Sequence, residues 1–125
     1  MTITLNGTTG TATPGLTLSG VYTEGVVAIG NSGTTQTLSL ASGTFQTVTM
    51  SANCVFTMPA VTSGQSFVLI TTQDSTGSRT ATFTGVKWPG AVAPTLTTTA
   101  TTGTDILTFL SNGTNWYGTY AQAFS

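Results

Sequence analysis

Few residues in this chain could perform chemistry, and their types exclude most catalytic and metal sites. The sequence has no histidine and a single cysteine, Cys54. A Ser-His-Asp triad, a Cys-His pair and any metal site built on histidine are therefore missing from it. Cys54 falls in a predicted strand as a small apolar residue, so we expect it to pack and not to react.

The acidic residues give little support to catalysis either. Glu24, Asp74 and Asp105 could in principle supply a pair of carboxylates for acid and base work on a glycoside. Each lies beside a predicted turn or strand edge, where an acidic side chain ordinarily caps a reversal. The glycine-rich runs LNGTTGTATPG and IGNSGTT lack the Lys-Ser or Lys-Thr pair of a phosphate-binding loop. We expect no enzyme, no cofactor and no metal site.

Composition limits the partners and indicates a β fold. The chain has 125 residues, which suits one domain, and only 4% of them are charged. Arg79 and Lys87 are its only basic side chains, too few for nucleic-acid binding. We see no transmembrane run and no signal peptide, so we expect synthesis in the cytoplasm. Threonine makes up about a quarter of the chain, and this β-branched residue favours strands.

Short runs bounded by Gly, Asn, Ser and Pro predict eight or nine strands and no helix. We predict an all-β fold, a single antiparallel β-sandwich of jelly-roll or Greek-key type over residues 36–125. Residues 1–35 have few large apolar groups, and we interpret them as an extended N-terminal arm with short strands. The sequence shows no heptads and no internal repeat. The candidate strands are residues 2–6, 16–22, 36–41, 44–50, 52–58, 66–72, 78–84, 105–111 and 114–122.

Two hairpins and two kinds of strand face follow from the local patterns. Asn112-Gly113 predicts a type I′ hairpin turn, and the polar run at residues 74–77 predicts a second tight reversal. Alternation in ANCVFTMP places Cys54, Phe56 and Met58 toward the core. SFVLITT and DILTFL are apolar on both faces, which is typical of strands covered twice. In so short a chain, a partner subunit is the economical second cover.

Two groups of residues are candidates for contact with partners. Trp88 before Pro89-Gly90 fits either a core tryptophan at a bend or an exposed anchor in the long loop of residues 85–104. The aromatic residues of the last strand could stack on a sugar, although alternation must bury some of them. The candidate assembly contacts in the arm are Ile3, Leu5, Leu16, Leu18, Val21 and Tyr22, and the candidate exposed anchors are Trp88, Trp116, Tyr117 and Tyr120.

Several stretches carry a resemblance to structural proteins of tailed-bacteriophage virions. They are TITLNGTTG with TPGLTLSG at the start, then GTFQTVTMSANCVFTMPAVTSGQSFVLITTQDSTGSRTATFTGVKWPG and DILTFLSNGTNWYG. Together they cover most of the chain, and they resemble both small β-rich capsid decoration (cement) proteins and tail-fibre modules. The resemblance implies a β-rich and often trimeric protein located in the virion.

The resemblance and the length of the chain together define the expected function. A chain made of one module and an arm is similar to a decoration protein, which would bind the capsid surface as a homotrimer and contact the major capsid protein. The alternative is a short tail-fibre or receptor-binding component that contacts host-surface glycan. Neither role requires a cofactor, nucleic acid or a membrane.

Overall fold

The computed structural model describes residues 19–125, and nearly all of its regular structure is β-strand. This confirms the all-β class predicted from composition. Within residues 19–125, the only helical element is a single 3-10 turn at Pro89–Ala91. The strands are β1 Val26–Asn31, β2 Thr35–Thr37, β3 Phe45–Met50, β4 Cys54–Thr57, β5 Ser66–Gln73, β6 Ala81–Phe83, β7 Val86–Lys87, β8 Thr104–Ser111 and β9 Trp116–Phe124.

The first six strands alternate between two sheets, so this part of the chain winds like a β-solenoid; we call this winding the coil. Strands β1, β3 and β5 pair in parallel in one sheet, and β2, β4 and β6 pair in parallel in the other. We call each pair of consecutive strands a rung: β1 with β2, β3 with β4, and β5 with β6. The rungs repeat in structure but not at a fixed interval of sequence, because strand partners on successive rungs lie 18 to 27 residues apart.

The larger sheet continues beyond the rungs through the C-terminal strands. Its order is β1-β3-β5-β8-β9-β7, with β8 antiparallel to both β5 and β9. The expectation of an antiparallel sheet is therefore correct for these two pairs and wrong for the other five. Among β1 to β6, parallel pairing arises because each strand returns to its own sheet only after the chain has passed through the other sheet. Strands β7 and β9 are parallel because β8, which is antiparallel to β9, reverses the chain between them.

The loop of residues 74–80 explains why the predicted hairpin there does not form. The Gln73 side chain donates to the carbonyl of Arg79 and accepts from its N–H, at 3.0 and 2.8 Å. Asp74 Oδ1 accepts from the N–H groups of Thr76 and Gly77. These side-chain bonds close a loop that sends β6 to the other sheet, so the prediction of a β5–β6 hairpin is wrong.

The hairpin predicted at Asn112-Gly113 is confirmed, with a longer loop than expected. Strands β8 and β9 pair from Ser111 and Trp116 onward, which leaves residues 112–115 in the turn. Asn112 Oδ1 accepts from the N–H groups of Thr114 and Asn115, and of these turn residues only Gly113 has a positive φ, 91°. An Asx-type turn therefore replaces the two-residue type I′ turn.

The hydrophobic core lies between the two sheets and is rich in stacked aromatic rings. Phe56 and Phe83 of the smaller sheet stack at 4.9 Å between centroids, and Phe67 and Phe109 of the larger sheet stack at 4.8 Å. The two pairs meet where Phe83 lies 5.5 Å from Phe109. Cys54 and Phe56 are buried as predicted, and Met58 packs against the same cluster.

The long segment after β7 covers the part of the larger sheet that the smaller sheet does not reach. Trp88 packs edge-on against Phe83 and Phe109, and Leu96 is buried in the core cluster. Residues 88–103 therefore act as a cover over β8 and β9, which is why a segment with so little regular structure is held in place.

Candidate assembly surface

The side of the larger sheet that faces away from the core is apolar and rich in threonine. We call it the outer face; the residues pointing outward alternate with the buried core residues along each strand. One cross-strand row runs through the middle of the outer face and consists of Ala28, Thr47, Ile70, Ile106 and Ala121. On either side of this row lie Val26, Phe45, Val68, Thr108 and Thr119, and then Thr49, Thr72, Thr104 and Phe124.

No outward-pointing residue of β1, β3, β5, β8 or β9 is charged. Charged side chains lie at the borders of the outer face. Lys87 is on the edge strand β7 beside Tyr117, and Glu24 is close to Thr44. Several large apolar side chains of the outer face remain substantially exposed: Val26 60%, Leu110 51%, Phe124 45% and Tyr117 42%. Strands β5 and β8, which the sequence showed to be apolar on both faces, thus have one face in the core and the other on this surface.

The outer face is large enough to be a contact surface. Strands lie about 4.8 Å apart and outward residues recur about every 6.8 Å along a strand, so five strands with three or four such residues each span roughly 500 Å², threonine side chains included. Apolar patches of 300–600 Å² are the largest that monomeric proteins ordinarily expose, and they are often functional. The outer face therefore has the size and chemistry of an interface.

The structure places the predicted anchors in different environments. Trp116 is 2% exposed, and its Nε1 donates to the Pro59 carbonyl at 2.9 Å, so the expectation of an exposed ring there is wrong. Its burial follows from the inward phase of β9, which also stacks it edge-on against Phe67. Trp88 is half-buried at the bend, where it packs against the core cluster.

Tyr117 and Tyr120 are partly exposed but on opposite sides of the larger sheet. Tyr117 belongs to the outer face, where its hydroxyl accepts from Asn112 Nδ2 at 3.3 Å. Tyr120 lies on the inner side beside Trp88, with ring centroids 6.0 Å apart. The aromatic residues of β9 therefore do not form one continuous platform.

The candidate arm contacts are only partly within the described residues. Ile3, Leu5, Leu16 and Leu18 lie outside them. Val21 is 97% exposed and Tyr22 is 67% exposed, on the segment that leads into β1. Strand β1 and the first residue of β2 fall within residues 1–35, and both strands pair with the next rung of the fold.

The groups that could carry chemistry make structural contacts. Asp105 is 1% exposed; it accepts from the Thr97 N–H and hydroxyl, each at 2.6 Å, and from the Ala123 N–H at 3.1 Å. Burial raises the pKa of the Cys54 thiol, and the weaker effect of its contact with Ser32 opposes this. A protonated, buried thiol is a poor nucleophile.

Asp74 makes an ion pair with Arg79, with 2.9 Å between Oδ2 and the guanidinium. The hydrogen bond from Arg79 lowers the pKa of Asp74, burial opposes this, and the N–H groups of Gly77 and Thr76 lower it further. A carboxyl whose pKa is lower in the folded protein stabilises the fold above about pH 4, and this stabilisation is lost as the pH falls through the folded pKa.

We therefore expect the wild type to lose stability faster than Asp74→Asn between pH 4 and pH 2. Urea unfolding across pH 2 to 7 measures this, because the difference between the two proteins removes the contributions of the other carboxyls. At pH 7 the wild type should be the more stable of the two. Parallel curves across the whole range would show that the Asp74 pair contributes nothing.

Two further properties of residues 19–125 bear on the class of protein. Among them, no three His, Cys, Asp or Glu side chains cluster as they would around a metal ion. No helix in this part of the chain is long and apolar enough to cross a membrane. No protein-family model, curated protein or solved structure matches the chain.

Proposed function

We propose that the protein is a non-enzymatic structural component of a tailed-phage virion. In this proposal it is a capsid decoration, or cement, protein that binds the outer shell as a trimer and stabilises contacts between capsid subunits. The observation that carries the proposal is the uncharged outer face, a surface suited to permanent cover by other protein. The resemblance of the sequence to virion proteins supplies the setting, with synthesis in the host cytoplasm and assembly on the capsid surface.

The outer face provides the contact between copies in this proposal. Three copies around a threefold axis would each bury part of the face against a neighbour, removing Leu110, Phe124 and Tyr117 from water. Stable interfaces bury about 1,200–2,000 Å² in total, so a face of roughly 500 Å² on each copy needs additional contacts. Residues before β1, including Ile3, Leu5, Val21 and Tyr22, would supply these on the major capsid protein.

Main-chain hydrogen bonding suits a chain with so little charge. An extended segment that adds to a sheet edge is held largely by N–H to C=O bonds, for which Thr and Gly are sufficient. Three such segments on one trimer act together, because the first contact raises the effective concentration of the others. Many copies could then hold a shell against internal pressure without any strong individual contact.

The first test places a charge at the centre of the outer face. We expect Ile106→Lys to convert the trimer to monomer and to weaken binding to decoration-free shells at least tenfold, because a buried unpaired ammonium is costly. The matched control is Val55→Lys, an exposed valine on the outward side of the smaller sheet. Sedimentation velocity measures the oligomer, and co-sedimentation with shells measures binding.

A folded Ile106→Lys protein that still forms trimers and binds shells would overturn the role of the outer face. The copy number per capsid subunit in intact particles tests the location separately. About one copy per capsid subunit supports decoration, whereas a few tens of copies per particle would favour the tail.

The tail-fibre alternative has one observation in its favour. Tyr117 presents an exposed ring beside the Asn112 amide at the end of the β8–β9 hairpin, and an aromatic ring with a neighbouring amide suits a sugar. Host-surface glycan would then be the partner. A low copy number together with loss of glycan binding in Tyr117→Ala would replace the decoration proposal with this one.

A further inference from the structure

Two charged side chains of opposite sign have no ion-pair partner in the described part of the chain. All charged side chains of the sequence lie in that part. Asp74 and Arg79 form its only ion pair, and Asp105 is buried and accepts hydrogen bonds from neutral donors. Glu24 and Lys87 therefore remain, and both lie at the borders of the outer face.

Glu24 and Lys87 lie at the same end of the outer face but on opposite borders. Lys87 begins a cross-strand row that continues through Tyr117 and Leu110 to Ser66. Ser66 and Glu24 line the same cleft at this end of the sheet. Glu24 is close to the start of β3, four strand spacings from β7, so the two charges are roughly 19 Å apart. They cannot meet within one copy of the protein.

The surroundings of Glu24 suit a lysine side chain. The hydroxyl groups of Tyr22 and Thr44 donate to Oε1, and no described residue donates to Oε2. A cleft of about 360 Å³ beside the carboxylate is lined by Val26 and Phe45. Lysine has an aliphatic stem that packs on apolar surface and an ammonium group that donates hydrogen bonds. The cleft offers a contact for each part.

The width of the larger sheet fits a ring of three copies with their outer faces turned toward the axis. Six strands about 4.8 Å apart form a wall roughly 24 Å wide, and the centre of a triangle of such walls lies roughly 7 Å from each wall. Packed sheets lie about 10 Å apart, so the side chains of one sheet fill about 5 Å. Ile70 and Ile106 on the two middle strands extend farther toward the axis than Ala28 and Ala121 do on either side of them.

We propose that Lys87 of each copy binds Glu24 of the next copy, so that three equivalent ion pairs close a head-to-tail ring. The inference rests on the trimer of the proposed function and deepens it, because it names the residues that set the order of the copies. Copies related by a threefold axis along the strands bring opposite borders together at the same height. The apolar outer face supplies most of the attraction, while the ion pair selects this arrangement over others.

Reversal of the two charges tests the ion pair. We expect Glu24→Lys and Lys87→Glu each to raise the protein concentration of half-assembly about tenfold, because three repulsive contacts replace three attractive ones. The variant with both changes should recover wild-type assembly within about twofold, since every pair is restored with its signs exchanged. The single variants shift the net charge in opposite directions, so a net-charge effect would not weaken both. Sedimentation velocity measures assembly, and thermal unfolding checks that each variant is folded.

Cysteine cross-linking determines the arrangement independently of charge. A chain with Glu24→Cys and Lys87→Cys should oxidise to covalent trimers, because a disulfide joins only positions that lie within about 7 Å and the two sites are too far apart within one copy. Cys54 is buried and does not compete. Covalent dimers would show a two-fold contact between faces instead. That result, or the lack of any bond between the two new cysteines, would overturn the proposal.

The outcomes distinguish this proposal from the decoration proposal. A trimeric wild type whose assembly neither single reversal weakens, or a double variant no better than the single ones, would overturn the ion pair alone. A copy number of a few tens per particle would remove the capsid location and leave the ring intact. A monomeric wild type would contradict the trimer on which both proposals depend.

Discussion

Replacing Gly118 by alanine is expected to displace Trp88 from the inner side of the larger sheet. A Cβ at position 118 would overlap Trp88 Cζ3 and would lie 2.7 Å from its Cη2, closer than any real contact. No small movement can relieve this overlap. One side is strand backbone, and the other is an indole packed against Phe83 and Phe109. We expect a loss of about 3 kcal/mol in the free energy of unfolding, the upper range for overpacking.

The measurement is urea unfolding combined with tryptophan fluorescence, which should shift to longer wavelength as Trp88 meets water. Gly25→Ala is the matched control, because a Cβ there meets nothing within 4 Å and its φ is not positive. In a Trp88→Ala background the same Gly118→Ala change should cost much less, since the clash is gone. An undiminished cost in that background would locate the strain elsewhere.

Removal of the Asp105 carboxylate should have a comparable effect. Asp105 joins β8 to the long cover segment through Thr97 and to the end of β9 through Ala123. Asp105→Ala leaves these donors without their acceptor, and hydrogen bonds to a charged group contribute about 1.5–3 kcal/mol each. We expect a loss of about 3 kcal/mol or more and detachment of residues 88–103 from the sheet.

Hydrogen exchange at the amides of Thr97 and Ala123 reports the detachment directly. The stability of Asp105→Asn should fall between those of Asp105→Ala and the wild type. Asparagine keeps one acceptor oxygen but replaces the other with an NH₂ group, which then faces a donor. Glu24→Gln is a suitable control, since Glu24 lies near the surface and, among the described residues, its side chain accepts only from hydroxyl groups. Unchanged protection at both amides in Asp105→Ala would show that the cover segment is held by Trp88 and Leu96 alone.

Much of the local structure is predictable from the sequence because strand alternation and turn chemistry are local. The inward phase of β4 and the β8–β9 hairpin both follow from short stretches of residues. The double apolar pattern of β5 and β8 predicts strands covered on both faces; the core covers one face, and a partner over the other stays a prediction. These patterns depend only on neighbours within a few positions.

The pairing of the strands could not be predicted in the same way. A strand that alternates polar and apolar residues looks the same whether its partner is antiparallel or is the next rung of a coil. Asp74-Ser75-Thr76-Gly77 has the composition of a tight turn, and only the Gln73 side chain on Arg79 shows that it closes a wider loop. The burial of Trp116 depends on the phase of β9, which one extra turn residue can shift.

The sequence carries only a partial signal for the coil. Thr37-Leu38 and Thr57-Met58 recur twenty residues apart, but the partners of β4 on β6 lie twenty-seven residues farther along the chain. In a chain that is about one quarter threonine, such a motif does not stand out until the pairing of Thr37 with Thr57 gives it a structural meaning. Short repeats of common residues therefore need the register before they can be recognised.

The absence of charge on the outer face determines how any contact made there responds to solution conditions. Mobile ions screen Coulombic attraction, and a surface without charged groups has none to be screened. Its attraction comes from apolar burial, which weakens on cooling and strengthens in sulfate or phosphate. Contacts on this face would hold in dilute buffer and in concentrated salt alike, and chilling would loosen them more readily than desalting.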